Sequence, residues 1–257
     1  MIQRRTDREL DQLRRAGRVV AAVRRAVLAA TTPGRSTRDL DAVAEQVIRE
    51  HGATPAFKGY RGYPATICAS VNEQVVHGIP DDIPLAEGDV VSIDVGAQLG
   101  GYFGDAAFTV ALGAVPTAAG NLIEVTEECL RRAIALARPG NRLSDISHAV
   151  ETCAVAGGMS VVRQFGGHGI GRSLHEEPHI NNYGPPGKGP LLQPGFVLAI
   201  EPILCLGNPE LLIADDGWTA STADGSLAAH AEHTVAVTAD GPWVLTADDD
   251  LGEGADR

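Results

Sequence analysis

Four carboxylates and one histidine stand where the surrounding sequence is built to be buried. Asp94 lies inside Val90-Val91-Ser92-Ile93-Asp94-Val95, a strand apolar enough to be covered on both faces, where an ionised carboxylate is costly unless paired or bound to a cation. Glu201 lies inside Phe196-Val197-Leu198-Ala199-Ile200-Glu201-Pro202-Ile203, and Glu232 opens the β-branched run that follows it. A turn at Leu99-Gly100 sets residues that sum to 199 opposite one another, which places Asp105 across from Asp94. Like charges facing each other across a sheet, with Cβ atoms roughly 5 Å apart, are destabilising unless something positive lies between them. The competing reading, one Asp capping a turn and the other on the surface, is disfavoured by the apolar flanks. His168 sits in Gly166-Gly167-His168-Gly169-Ile170-Gly171, where the glycines let backbone approach closely and leave the imidazole open. Four carboxylates and one imidazole suit hard to borderline ions, Mn, Fe, Co or Zn, and two such ions about 3.5 to 4 Å apart are a common hydrolytic arrangement.

A second motif competes with that set. His175-Glu176-Glu177-Pro178-His179 matches H-E-x-x-H, which binds zinc only when both histidines share one helical face. Pro178 argues against the helix, since an interior proline costs roughly 3 kcal/mol and disfavours helical geometry at the residue before it. No G-x-S-x-G elbow, P-loop or dinucleotide glycine fingerprint is present, so serine nucleophiles and nucleotide chemistry have no motif behind them. The four cysteines, Cys68, Cys129, Cys153 and Cys205, form no C-x-x-C pair and fit a reducing compartment. A formal net charge of −12 without a basic run argues against general affinity for nucleic acid or an anionic membrane.

The elements that must position these residues follow from periodicity. Thr6 and Glu9 have capping-box spacing ahead of a long amphipathic helix that ends near Thr31-Thr32-Pro33-Gly34, and a second helix runs from Ser36 or Thr37 to Gly52. Strand texture follows from Ala65, with a hairpin broken at Gly100-Gly101. Helices return from about Pro116 to Ala137 and from about Leu143 to Ala156, and the remainder is strand and loop. This order predicts a two-halved α+β fold, each half supplying sheet and helical cover. One domain over residues 1–246 is expected, with 247–257 an acidic, disordered tail. The N-terminus lacks the apolar core of a signal peptide and no span is long enough for a bilayer, so a soluble, cytoplasmic protein is expected.

Taken together, the segments YRGYPATICASVNEQVVHGIPDD, GDVVSIDVGA, GYFGDAAFTV, GGHGIGRSLHEEP, AIEP, DGWT and AEHTVAV resemble, in order and spacing, the blocks of type I methionine aminopeptidases in their short bacterial form. The resemblance runs from the first helix to about Leu245. It implies the pseudo-two-fold "pita-bread" fold, a curved antiparallel sheet covered by helices, and removal of the initiator methionine of nascent proteins ahead of a small second residue. It implies two divalent ions (Co, Mn, Fe or Zn), one held by Asp94, Asp105 and Glu232 and the other by Asp105, His168, Glu201 and Glu232. A hydroxide bridging them would be the nucleophile, with Glu201 relaying its proton. His77 and His175 match the family's two substrate histidines; read without the family, they would be a turn residue and a satisfied neighbour of the site. Tyr60, Tyr63, Cys68 and Trp218 match the lining of the methionine pocket, whereas Phe57 stands where many bacterial members have a small residue and Leu174 where an aromatic is common. Family members meet ribosomes with the help of a basic loop. The corresponding stretch from Gly207 to Ser226 has no Lys or Arg and four acidic residues, which argues against that route. A monomer is expected. The rivals are a proline-specific peptidase on the same fold, which usually carries a further N-terminal domain, and a non-catalytic binding module, against which all five filled ligand positions argue.

Overall fold

Thr6 and Ser36 open the first two helices by the same device, each side chain accepting from the backbone N–H three residues on while an acid there accepts from the cap's own N–H. The computed structural model describes residues 2–248. Its first half comprises α1 (Asp7–Ala30), α2 (Thr37–Glu50), β1 (Thr54–Pro55), β2 (Ile67–Val71), β3 (Gln74–Val76), β4 (Val90–Leu99) and β5 (Tyr102–Ala111). The second half comprises α3 (Thr117–Ala135), α4 (Leu143–Ala156), β6 (Ser160–Val161), β7 (Gly167–Gly169), β8 (Glu176–Ile180), β9 (Val197–Ile200), β10 (Ile203–Cys205), β11 (Leu211–Ile213), β12 (Ala220–Thr222), β13 (Ala228–His230), β14 (His233–Thr238) and β15 (Gly241–Val244). The helices therefore fall where periodicity puts them.

Two antiparallel sheets carry the halves. In the first, β4 pairs with β1, β2 and β5, and in the second the order is β15-β14-β9-β7-β8. Each has its own apolar core: Val20, Val23, Leu40 and Ile48 of α1 and α2 pack on Ile67, Ile93 and Phe108, while Leu122, Cys129, Ile146 and Val150 of α3 and α4 pack on Leu198, Ile200 and Val235. Backbone bonds join the sheets, with Ala107 and Glu232 exchanging N–H to carbonyl bonds of 3.3 and 2.9 Å. Thr234 Oγ1 accepts from the Asp105 N–H at 3.0 Å and donates to its carbonyl at 2.8 Å. The site residues lie along this seam.

The β4–β5 register corrects one expectation. Gly96 faces Asp105 and Asp94 faces Ala107, so paired residues sum to 201, not 199. Gly100 and Gly101 both take positive φ, 60° and 83°, forming the two-residue turn whose twist suits a hairpin. The expected turn was one residue early, and the two aspartates become diagonal neighbours on one face instead of direct opposites.

Close approach fixes α1 on the molecule. A Cβ added at Gly17 would lie 2.0 Å from the Leu245 carbonyl oxygen, so the helix sits there only because that side chain is absent. Gly17→Ala is expected to destabilise by about 1 to 3 kcal/mol through overpacking, despite the better helix propensity of alanine. A lower melting temperature checks this, and an unchanged one would contradict it. Of the C-terminal tail, Ala247 accepts from Arg14 at 2.9 Å and Asp248 pairs with Arg24 and Arg25; residues 249–257 lie outside the described residues.

Candidate metal centre and binding cleft

One cleft, enclosing about 150 Å³ and partly open to solvent, is lined by Asp94, Asp105, His168, Glu201 and Glu232, by His77 and His175, and by Phe57, Tyr60, Tyr63, Cys68, Leu174 and Trp218. Every site residue expected from the sequence reaches it. Asp94 and Asp105 come from β4 and β5, His168 from the middle of β7, Glu201 from the break between β9 and β10, and Glu232 from just ahead of β14. The glycines beside His168 are required by crowding: a Cβ on Gly167 would lie 2.3 Å from the Ala199 carbonyl oxygen, and one on Gly169 2.1 Å from that of Glu177. Residues 176–180 are strand, not helix, so His175 and His179 share no helical face and the H-E-x-x-H match is a coincidence of sequence.

The geometry is unfavourable for protein groups alone. Asp105, His168 and Glu232 are all buried, with one ligand atom each lying within 4.8 Å of the others. Asp94 Oδ1, Asp105 Oδ1 and Glu232 Oε1 are enclosed without a hydrogen-bond partner, which is costly for an acceptor. The Gly169 carbonyl lies 2.9 Å from His168 Nδ1 and can only accept, so Nδ1 carries the proton and Nε2 presents a bare lone pair. That lone pair faces Asp105 Oδ2 at 3.9 Å and Glu201 Oε1 at 3.8 Å. Acceptors converging on acceptors are what a cation fits, and the donor set suits a divalent one. The carboxyls register the same conflict: burial pushes Asp94 up to about 7, and burial and the Asp94 charge push Glu201 up to about 8. Burial and neighbouring carboxylates hold Asp105 and Glu232 well above the usual range. Burial, with His175 nearby, takes His168 down to about 3.

Around this cluster the remaining residues are fixed by their own contacts. Tyr60 Oη lies 3.0 Å from His175 Nδ1, and the two rings stack at 5.3 Å. Glu176, bound by the Arg172 and Ser173 N–H groups at 2.8 and 3.1 Å and paired with Arg5, holds the turn that presents His175. His77 adopts a positive φ of 61° and meets Phe165 and Trp218 edge-on. Tyr63 Oη donates to the Ile67 and Gly78 carbonyls at 3.0 and 2.9 Å, and Trp218 packs on its ring at 5.1 Å. Cys68 is a buried free thiol pushed well above its ordinary pKa by burial and the Asp94 charge, a wall and not a nucleophile. Two residues of the site were missed in the sequence. Arg61 lines the cleft, and buried His230 lies within 3.9 Å of Glu201 and Glu232. His230 closes β13 and Glu232 lies beyond its end, so no local pattern in the sequence marks His230 as part of the site.

The model of metallopeptidase family M24 matches residues 11–239. A protein named methionine aminopeptidase 1 from Mycobacterium tuberculosis (strain CDC 1551 / Oshkosh) is 54% identical over 253 residues, which is 96% of this chain and 95% of that one. Another of that name from Bacillus subtilis (strain 168) is 49% identical over 246 residues, 96% of this chain and 99% of that one. Among solved structures, a methionine aminopeptidase from Thermotoga maritima superposes with a TM-score of 0.95 at 42% identity, covering 96% of this chain and all of that one. A prolidase from Pyrococcus furiosus shares the fold alone, with a TM-score of 0.78 at 24% identity, 96% of this chain covering 66% of that one. Among the described residues no helix is long and apolar enough to cross a membrane.

Proposed function

The chain belongs to metallopeptidase family M24, and from that membership we propose that its cleft holds two divalent ions, Co, Mn, Fe or Zn, through Asp94, Asp105, His168, Glu201 and Glu232. The fold is the family's pita-bread fold. The activity is that of a metal-dependent methionyl aminopeptidase, which removes the initiator methionine by hydrolysis. Asp94, Asp105 and Glu232 hold one ion, and Asp105, His168, Glu201 and Glu232 the other. The observation carrying this reading is the convergence of enclosed, unpartnered carboxylate oxygens with the bare Nε2 of His168. Such ions supply Lewis acidity, bringing the pKa of bound water towards neutrality and polarising the scissile carbonyl.

The chain's own groups do the rest. Glu201 holds a carboxylate that takes the proton of the attacking water and delivers it to the departing amine. His175 is neutral near pH 7, because burial and Arg61 bring it down to about 4. With Nδ1 occupied by the Tyr60 hydroxyl, its Nε2–H is free to donate to the substrate carbonyl as charge develops. His77, also kept neutral by burial, contacts the scissile amide. Phe57, Tyr60, Tyr63, Cys68, Leu174 and Trp218 enclose the methionine side chain. The substrates are nascent proteins and peptides with a small second residue. The protein works in the cytoplasm as a monomer of one catalytic domain, residues 1–246, and the acidity of the stretch 207–226 argues against ribosome docking by that route.

Peptide selectivity tests the proposal. In Mn- or Co-loaded protein, kcat/KM for Met-Ala peptides is expected to exceed that for norleucine-Ala by no more than roughly 10- to 200-fold, since misfit on the scale of a methylene costs about 1 to 3 kcal/mol. Lys-Ala is expected to be rejected far more strongly, because its charge would lose water without gaining a partner. Met-Leu and Xaa-Pro peptides are expected to be poor substrates. Equal rates on Lys-Ala and Met-Ala would refute the pocket assignment, and preferential cleavage of Xaa-Pro would replace the activity with that of the rival peptidase.

A further inference from the structure

His230 stands to the carboxylates as His168 does. Its Nε2 lies 3.7 Å from Glu201 Oε2 and 3.9 Å from Glu232 Oε2, against 3.8 and 3.9 Å for His168 Nε2 and its two carboxylate neighbours. The side chain is 4% exposed, and Nε2 has no hydrogen-bond partner among the described residues. Separations of 3.7 to 3.9 Å are too long for direct hydrogen bonds, so the carboxylates do not satisfy the ring.

The backbone allows His230 little freedom. Thr109 Oγ1 donates to its carbonyl at 2.8 Å and accepts from its N–H at 2.9 Å. Ser92 Oγ, 2.7 Å from Thr109 Oγ1, completes that hydroxyl's bonding as the donor. With β13 held by β10 and His230 facing Ile203, the imidazole is fixed on the side of Glu201 and Glu232. A buried imidazole so placed among carboxylates is explained by one occupant that serves both, a cation.

We propose that His230 is a sixth protein ligand of the metal centre, binding through Nε2 beside Glu201 Oε2 and Glu232 Oε2. The inference rests on the two-ion reading above and extends it: Glu201 presents one oxygen towards each histidine, and the centre gains a second nitrogen donor. A second imidazole favours borderline ions over harder Mn.

The test strips the full chain with chelator and reloads it with Co(II) or Mn(II), following uptake by calorimetry and, for Co(II), visible absorption. Wild type, His230→Gln and His168→Gln are compared. His230→Gln is expected to weaken binding of one Co(II) by about tenfold or more, to shift the Co(II) bands, and to affect Mn(II) less. Wild-type stoichiometry, affinity and spectrum in His230→Gln, with all three altered in His168→Gln, would overturn the inference and leave the two-ion reading standing. Should His230→Gln not fold, ¹⁵N-histidine NMR of the wild type during Zn(II) titration decides. Movement of two imidazole Nε2 resonances on loading supports the proposal, and movement of the His168 resonance alone overturns it. A wild type that takes up no ion removes both readings together.

Discussion

Glu201→Gln is expected to fold normally and to lose about 10³-fold in kcat under metal-replete conditions, the scale of removing a positioned proton carrier. The motivation is its place between β9 and β10, with one oxygen towards His168 and the other towards His230. Glutamine keeps the shape and removes both the charge and the basic oxygen. His168→Ala is expected to be as damaging, because it deletes the lone pair that faces Asp105 and Glu201. Single-turnover and steady-state kinetics with measured metal content check both. Near wild-type turnover in either variant would remove the site assignment.

Chelation is expected to abolish hydrolysis and lower the melting temperature by roughly 10 °C, taking about 4 kcal/mol for a ligand present at a thousand times its Kd and 2 to 4 °C per kcal/mol for a chain of this size. Without ions, Asp94 titrates at about 7 and Glu201 at about 8, both raised chiefly by burial. The folded metal-free chain therefore binds protons that the unfolded chain releases near pH 4, so its stability falls as pH rises from that range through about 8. His168 and His230, both lowered to about 3 from 6.5 chiefly by burial, act with the opposite sign. Their contribution is lost as pH falls below 6.5. Between about pH 7.5 and 8 these two histidines are largely neutral in both states and the carboxylates dominate. Ion binding needs deprotonated ligands and strengthens with pH, so the gap between loaded and chelated melting temperatures should widen across that window. Identical melting curves with and without chelator, or hydrolysis that persists once metal content is negligible, would exclude the metal-dependent account.

Much of this was legible in the sequence because its signals are local and strong. Asp94 and Glu201 break apolar strands, and such a break has few physical explanations. The Thr6–Glu9 capping box and the proline of the false zinc motif also act within a few residues, so the start of Asp7–Ala30 and the absence of a helix at Glu176–Ile180 follow from short windows. The hairpin turn was misplaced by one residue at Gly100-Gly101, shifting the register by two, because two adjacent glycines leave the turn's position ambiguous until both positive φ values are seen. Since side chains alternate with period two, the error changed which residues face one another while Asp94 and Asp105 kept a common face. His230 was overlooked because it lies in Ala228-Ala229-His230-Ala231, where nothing local distinguishes a ligand from a core histidine. Its significance comes from Glu201, brought alongside by the pairing of β10 with β13, and from Thr109, 121 residues away. Long-range pairing of that kind leaves no mark in a short window.

If Asp94, Asp105, His168, Glu201 and Glu232 hold two ions in this cleft, anomalous diffraction from crystals loaded with Mn(II) should show two peaks inside it, both in contact with Asp105 and Glu232, one also reaching Asp94 and the other His168 and Glu201. An active, Mn-loaded crystal with no peak among these side chains, or with its ions elsewhere on the molecule, would contradict that assignment.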